Sequence, residues 1–154
     1  MLIETSELRD KTRRYRGEEP AAILELDKDP LVRGAGGIRY ALTARCLNKE
    51  LLVRGSLAVS LECRCARCAE WFRNSLRVPD FSRSYPLVSE NEAIDLTDDI
   101  REDILLALPI NLVCLDECRG LCPGCGANLN KQACTCPPGE PPVVWRVLDQ
   151  LKLQ

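Results

Sequence analysis

The chain has 154 residues, 45% of them apolar, which suits one domain with a small appended module and excludes wholesale disorder. It contains no histidine, which excludes Ser-His-Asp and Cys-His nucleophiles and histidine-ligated catalytic metals. Net charge is −2, with residues 1–86 carrying 16 Lys/Arg against 12 Asp/Glu and residues 87–154 carrying 5 against 11, a smaller basic excess than a strongly nucleic-acid-binding domain usually shows.

In chain order, "MLIETSELRD" lacks the basic region and apolar stretch of a secretory leader. The longest apolar run, residues 104–115, is broken by Pro109 and Asn111 and falls short of the ~20 residues a bilayer span needs. A cytoplasmic chain without a membrane partner is expected, in which thiols stay reduced. The densest basic run, residues 9–17, sets Arg13, Arg14 and Arg16 around Tyr15 and reads as a solvated loop or as a phosphate-contacting arm. "AAILEL" at 21–26 reads as a strand.

Two segments then alternate with a period of two. Ile38, Tyr40, Leu42, Ala44 and Cys46 share one face, with Arg39, Thr43 and Arg45 on the other. Leu51, Val53, Gly55, Leu57, Val59, Leu61 and Cys63 share a face opposite Leu52, Arg54, Ser56, Ser60 and Glu62. "NKE", residues 48–50, predicts a three-residue hairpin turn between them. A further strand is expected over 71–78.

The period changes to helical over residues 95–108, where Leu96, Ile100, Ile104 and Leu108 fall four apart. Asp95 or Thr97 is the expected cap, Asp98 and Asp99 suit the positive dipole end, and Pro109 marks the stop. The acidic side chains are expected to face solvent while the helix covers the open face of the sheet. Beyond residue 136 come a Pro-rich linker and a tail with Val144, Leu148 and Leu151 at helical spacing beside Trp145. That tail reads as a short helix that docks on the domain or on a partner.

The chain has ten cysteines, six of them within the 23 residues 114–136. "CPGCG" sets Cys122 and Cys125 two residues apart, a spacing that aims both thiolates at one metal, with Gly126 free to take the left-handed turn that closes the loop. Cys134 and Cys136 are the natural second half of that site, although their one-residue gap is tight. Cys114 and Cys118 then need partners, which "CARC" offers in Cys65 and Cys68. The economical scheme is two Zn2+ ions, one on Cys122, Cys125, Cys134 and Cys136, the other on Cys65, Cys68, Cys114 and Cys118. Its competitor is a single ion on Cys114, Cys118, Cys122 and Cys125. Cys46 and Cys63 read as small buried hydrophobes, with Cys63 able to exchange for Cys65. Arg64, Arg67, Arg119 and Lys131 are expected to offset the negative charge of the four-thiolate clusters.

Closed four-cysteine sites are structural rather than catalytic. A thiol-disulfide enzyme would want its C-x-x-C pair at a helix N-terminus in a βαβ setting, and no strand is predicted just before "CPGC". No enzyme and no small-molecule substrate are expected.

Taken together, "LECRCARCAEWF", "IDLTDDIREDILLALPINLVC", "CRGLCPGCGANLN" and "WRVLDQLKL" resemble, in that order, the YceD-like family of large ribosomal RNA subunit accumulation proteins. In that family the Cys-x-Arg-Cys pair occurs even where the "GLCPxCG" ribbon is lost, which fits two separable metal sites; Cys63 is an extra cysteine here. The resemblance implies a ribosome-biogenesis role in accumulation or processing of large-subunit ribosomal RNA, with no known reaction. Ribosomal RNA or a large-subunit ribosomal protein is then the expected partner. Arg13, Arg14, Arg16, Arg64, Arg67 and Arg119 are the candidate phosphate contacts. The alternatives are a redox-sensitive zinc protein and a zinc-ribbon protein-protein adaptor outside ribosome assembly.

The expected fold is α+β: an antiparallel sheet or partly open β-barrel with one long covering helix and a C-terminal zinc ribbon. Residues 1–113 would form the β core, 114–136 the ribbon, and 137–154 the linker and short helix.

Overall fold

A computed structural model describes residues 1–8, 11–89 and 91–137. The expected C-terminal helix around Trp145 lies outside the described residues. The strands are β1 (Leu2–Glu4), β2 (Arg13–Glu19), β3 (Val32–Leu47), β4 (Glu50–Arg64), β5 (Trp71–Pro86) and β6 (Ala93–Asp95), followed by one helix, α1 (Thr97–Leu106). Strands β2-β3-β4-β5 form a four-stranded antiparallel sheet in sequence order, and β1 pairs with β6 in a separate two-stranded ribbon. The sheet is open, not a closed barrel.

The period of two makes this sheet. Ile38, Leu42 and Ala44 of β3 are buried and stand opposite Val59, Gly55 and Val53 of β4, so both strands turn the same apolar face inward. The hairpin between them is tighter than the three residues expected. Leu47 pairs with Glu50, leaving a two-residue turn with Asn48 at φ 50° and Lys49 at φ 63°. Two consecutive positive φ angles are those of a type I′ turn, whose twist matches the strands it joins.

Two other segments differ from expectation. Residues Ala21–Leu24 form a 3₁₀ turn, not a strand. Glu25 beyond it is left-handed at φ 54°, which ends any extended path, and Leu24 drops into the core. The basic run is not a loop: its Arg13–Glu19 portion is the edge strand β2, held by β3 with Tyr15 opposite Leu42.

Helix α1 packs its Ile100 and Ile104 on the sheet's inner face with Leu24, Phe81 and Leu96, and β1 adds Ile3 to the same core. Asp95 Oδ1 accepts the Thr97 backbone N–H at 3.0 Å, satisfying the first helical donor. The acidic face is not wholly solvated. Arg83 of β5 pairs with Asp99 at 2.8 Å and also with Asp103, while the Tyr85 hydroxyl donates to Asp99. These carboxylates fasten the helix to β5. Among the described residues no helix is long and apolar enough to cross a membrane.

Candidate metal centre

Two groups of four sulfurs emerge from this frame. Cys65 and Cys68 sit in the turn joining β4 to β5, and Cys114 and Cys118 lie in the chain after α1; their sulfurs all fall within 4.8 Å of one another. Cys122, Cys125, Cys134 and Cys136 gather within the same 4.8 Å limit further along. Cys114 and Cys118 therefore do not share a site with Cys122 and Cys125. Every cysteine described is a free thiol, so neither group is a disulfide pair.

The first tetrad is set in a small apolar cluster. Cys65, Cys68 and Cys118 are buried, with Phe72 and Val113 packed around them. Cys65 and Cys118 are 3.8 Å apart, as are Cys68 and Cys114. Cys63 is fully buried in the main core, and burial pushes its thiol up from the usual range, so it does not stand in for Cys65. Cys46 lies partly buried against the same core.

The two C-x-x-C turns are built alike. In the first, the Arg67 N–H reaches Cys65 Sγ at 3.4 Å, the Ala69 N–H returns to the Cys65 carbonyl at 2.9 Å, and the Cys65 N–H meets the Glu70 carbonyl at 2.9 Å. In the second, the Gly124 N–H reaches Cys122 Sγ at 3.4 Å, the Gly126 N–H returns to the Cys122 carbonyl at 2.8 Å, and the Cys122 N–H meets the Ala127 carbonyl at 2.8 Å. Both turns close on a left-handed residue: Gly126 at φ 72°, and Ala69 at φ 58°, where a Cβ carries a steric penalty.

Backbone dipoles set the acidity. Burial pushes the Cys65 thiol up, but N–H groups converging on its sulfur outweigh that and bring it down to about 6. At Cys122 the N–H groups around the sulfur act first, with the Cys134 thiol adding to them, and again the value falls to about 6. Burial raises Cys118 too, but the Gly120 N–H and Asn130 outweigh it and bring it down, whereas Cys114 is pushed up to about 12 by burial and by the nearby sulfurs, and Cys136 to about 12 chiefly by Cys134. Each group thus mixes lowered and raised thiols, and the raised ones would shed protons to a cation.

The basic side chains make contacts of their own around the sites. Arg64 Nε donates to the Ala69 carbonyl at 3.0 Å, and Arg67 Nη1 to the Asp116 carbonyl at 2.8 Å and the Cys118 carbonyl at 3.2 Å. Lys131 pairs with Glu70 at 2.6 Å. Among the described residues no lysine or arginine side chain bonds a sulfur of either tetrad. These contacts order the chain around the sites. Of the candidate phosphate contacts, Arg13 pairs with Glu7, Arg14 and Arg16 are exposed on β2, and Arg119 is exposed beside the tetrads.

One residue escaped the sequence reading. Asn130 Nδ2 lies 3.3 Å from Cys118 Sγ while its Oδ1 accepts the Arg119 N–H at 2.8 Å. It belongs to the second loop and completes the surroundings of the first site. With the Leu121 N–H on the Arg67 carbonyl at 3.1 Å, it makes the ribbon continuous with the β4-β5 turn. The "NLN" spacing holds a weak sign of this, since Asn128 Oδ1 takes the Asn130 N–H at 3.0 Å in a local Asx turn.

The profile of the family described as large ribosomal RNA subunit accumulation protein YceD matches residues 80–152. Two relatives bear that name as chloroplastic YCED homolog 1. The Arabidopsis thaliana protein is 43% identical over 47 residues, 30% of this chain and 15% of its own length, and the Zea mays protein 45% identical over 49 residues, 31% and 17%. An uncharacterized protein of Mycobacterium tuberculosis is 30% identical over 102 residues, 57% of this chain and 49% of its own. The chain thus spans less than a fifth of the chloroplastic relatives and about half of the mycobacterial one. No solved structure matches. By the profile match and the relatives that carry the name, residues 80–152 are similar to the YceD family.

Proposed function

We propose that the chain is a non-enzymatic ribosome-biogenesis factor that supports accumulation or processing of large-subunit ribosomal RNA, with one zinc ion in each cysteine tetrad. Thiolates at about 2.3 Å from a tetrahedral ion stand about 3.8 Å apart. The two 3.8 Å sulfur separations of the first tetrad meet that spacing. In the second, the separations of 3.3 and 3.4 Å open slightly to admit the ion. Four sulfurs close each coordination sphere, so a bound ion holds chain segments together and keeps no position for substrate.

The observation that carries the role is the family match over residues 80–152, which spans α1, Cys114, Cys118 and the whole second tetrad. The first tetrad ties those residues to the β4-β5 turn, which places the sheet and the matched region in one unit. The chain would act by binding ribosomal RNA or a large-subunit ribosomal protein, in the cytoplasm.

Depletion of the chain in cells tests this. Large-subunit ribosomal RNA should fall relative to small-subunit ribosomal RNA, and the intact protein should restore it while Cys65→Ser does not. An unchanged ratio on depletion would end the proposal.

A further inference from the structure

The elements that pack on the four-stranded sheet among the described residues, α1, β1 and the 3₁₀ turn at 21–24, all do so from its inner side. The outer positions of β2, β3, β4 and β5 carry Arg14, Arg16, Arg39, Arg45, Arg54 and Arg77, each exposed. Among the described residues none of the six side chains has an ion-pair or hydrogen-bond partner. The acids on this face are fewer. Glu62 is engaged by Arg33 at 2.6 Å and Arg73 at 3.7 Å, and Glu50 accepts from Ser84 at 3.0 Å. Glu18 and Asp80 remain.

Register arranges these arginines in rows. Arg14 stands opposite Thr43, which stands opposite Arg54; Arg39 stands opposite Ala58, which stands opposite Arg77. At about 4.8 Å between strands, each pair is about 10 Å apart, and Arg39 to Arg45 covers about 20 Å along β3. Between Arg39 and Arg77 lies a shallow depression of about 430 Å³ floored by Ala41, Ser56 and Ala58. Small side chains flanked by guanidinium groups let a polyanion backbone approach the sheet closely. On the opposite side of the molecule, Asp98, Asp99, Glu102 and Asp103 of α1 outnumber Arg101 and the Arg83 that pairs with three of them, so the charge is polarised across the sheet and turns the arginine side toward an anion.

We propose that this outer face binds RNA through its phosphate backbone, with Arg14, Arg16, Arg39, Arg45, Arg54 and Arg77 as the contacts. The inference rests on the role proposed above for its choice of polyanion and names the surface that serves it. An acidic protein suits the face less well. Its centre, around Ala41, Ser56 and Ala58, offers no large aromatic or aliphatic anchor of the kind that carries protein interfaces, whereas guanidinium forks match phosphate oxygens.

The test is fluorescence-anisotropy titration of a labelled transcript of a large-subunit ribosomal RNA domain with the full chain, over a series of salt concentrations. Two paired variants, R39Q with R77Q and R14Q with R54Q, are compared with a control pair, K28Q with R101Q, in the loop after the 3₁₀ turn and on α1, both outside the four-stranded sheet. Matching thermal melts confirm that each variant is folded.

The unchanged chain should show log affinity falling linearly with log salt. Each face pair should weaken binding roughly tenfold or more and flatten the slope by about 1.5, from about 0.7–0.9 per phosphate contact, while the control pair binds as the unchanged chain does. The proposal is overturned if the face pairs bind normally, if the control pair loses as much, or if the unchanged chain binds no RNA at low salt. Capture of an acidic protein by the face in place of RNA also overturns it. Face pairs that lose RNA binding yet fully restore large-subunit ribosomal RNA in depleted cells would leave the surface standing and remove the cellular role.

Discussion

The two cysteine tetrads share a turn and differ in everything around it. Both C-x-x-C loops make the same three backbone bonds to the first cysteine. Yet Cys65, Cys68 and Cys118 are buried and draw on distant parts of the chain, while Cys125 and Cys136 are exposed and the second tetrad lies entirely within residues 122–136. The turn supplies donor geometry in both. Burial and sequence separation decide whether a site holds the domain together or only its own loop.

Removal of a ligand from each site should give the largest contrast. Structural zinc contributes an apparent ~10–16 kcal/mol, comparable to the ~5–15 kcal/mol of a whole domain. Cys65→Ser should therefore lose one of two metal ions and most of the cooperative thermal transition. Cys125→Ser should lose one ion and keep the transition of the sheet. Metal analysis with circular dichroism melts checks both; equal melting losses would erase the contrast. Next in size is the rate of metal release to a chromogenic chelator, which should be biphasic, with the fast phase absent in Cys125→Ser. A single phase in the intact protein would mean that exposure does not control release.

Asn130→Ala removes a part-buried hydrogen bond to Cys118 Sγ and should cost about 0.5–1.5 kcal/mol, with slow-phase metal loss alone quickening. The smallest effects should have opposite signs at equivalent turn positions. Ala69→Gly relieves a left-handed alanine and should stabilise by up to about 1 kcal/mol, whereas Gly126→Ala should destabilise by about 1 kcal/mol or more. Denaturant midpoints would read both, and a shared sign would break the equivalence of the two turns.

The sequence made the strands around Ile38–Cys46 and Leu51–Cys63 legible because one buried face imposes a strict period of two. The same rule disclosed Arg39, Arg45 and Arg54 as outward-facing, but not that β2 brings Arg14 and Arg16 beside them, since strand pairing is absent from local pattern. Residues 21–26 misled because an apolar run cannot by itself tell a strand from a turn; Glu25's left-handed backbone decides the matter. Counting cysteines in pairs gave the two groups of four that the sulfurs form. Spacing said nothing of Asn130, whose bond to Cys118 depends on how the second loop folds over the first site.

The first tetrad joins Cys65 to Cys118 across 53 positions, while Cys125 and Cys134 are nine apart. Closing the longer loop costs about 1.6 kcal/mol more in chain entropy. It also cannot happen during synthesis until the later cysteines have left the ribosome. A nascent chain halted before residue 114 should thus expose Cys65 and Cys68 to alkylating reagents, and protection of both at that length would show that the hairpin shields its half-site unaided.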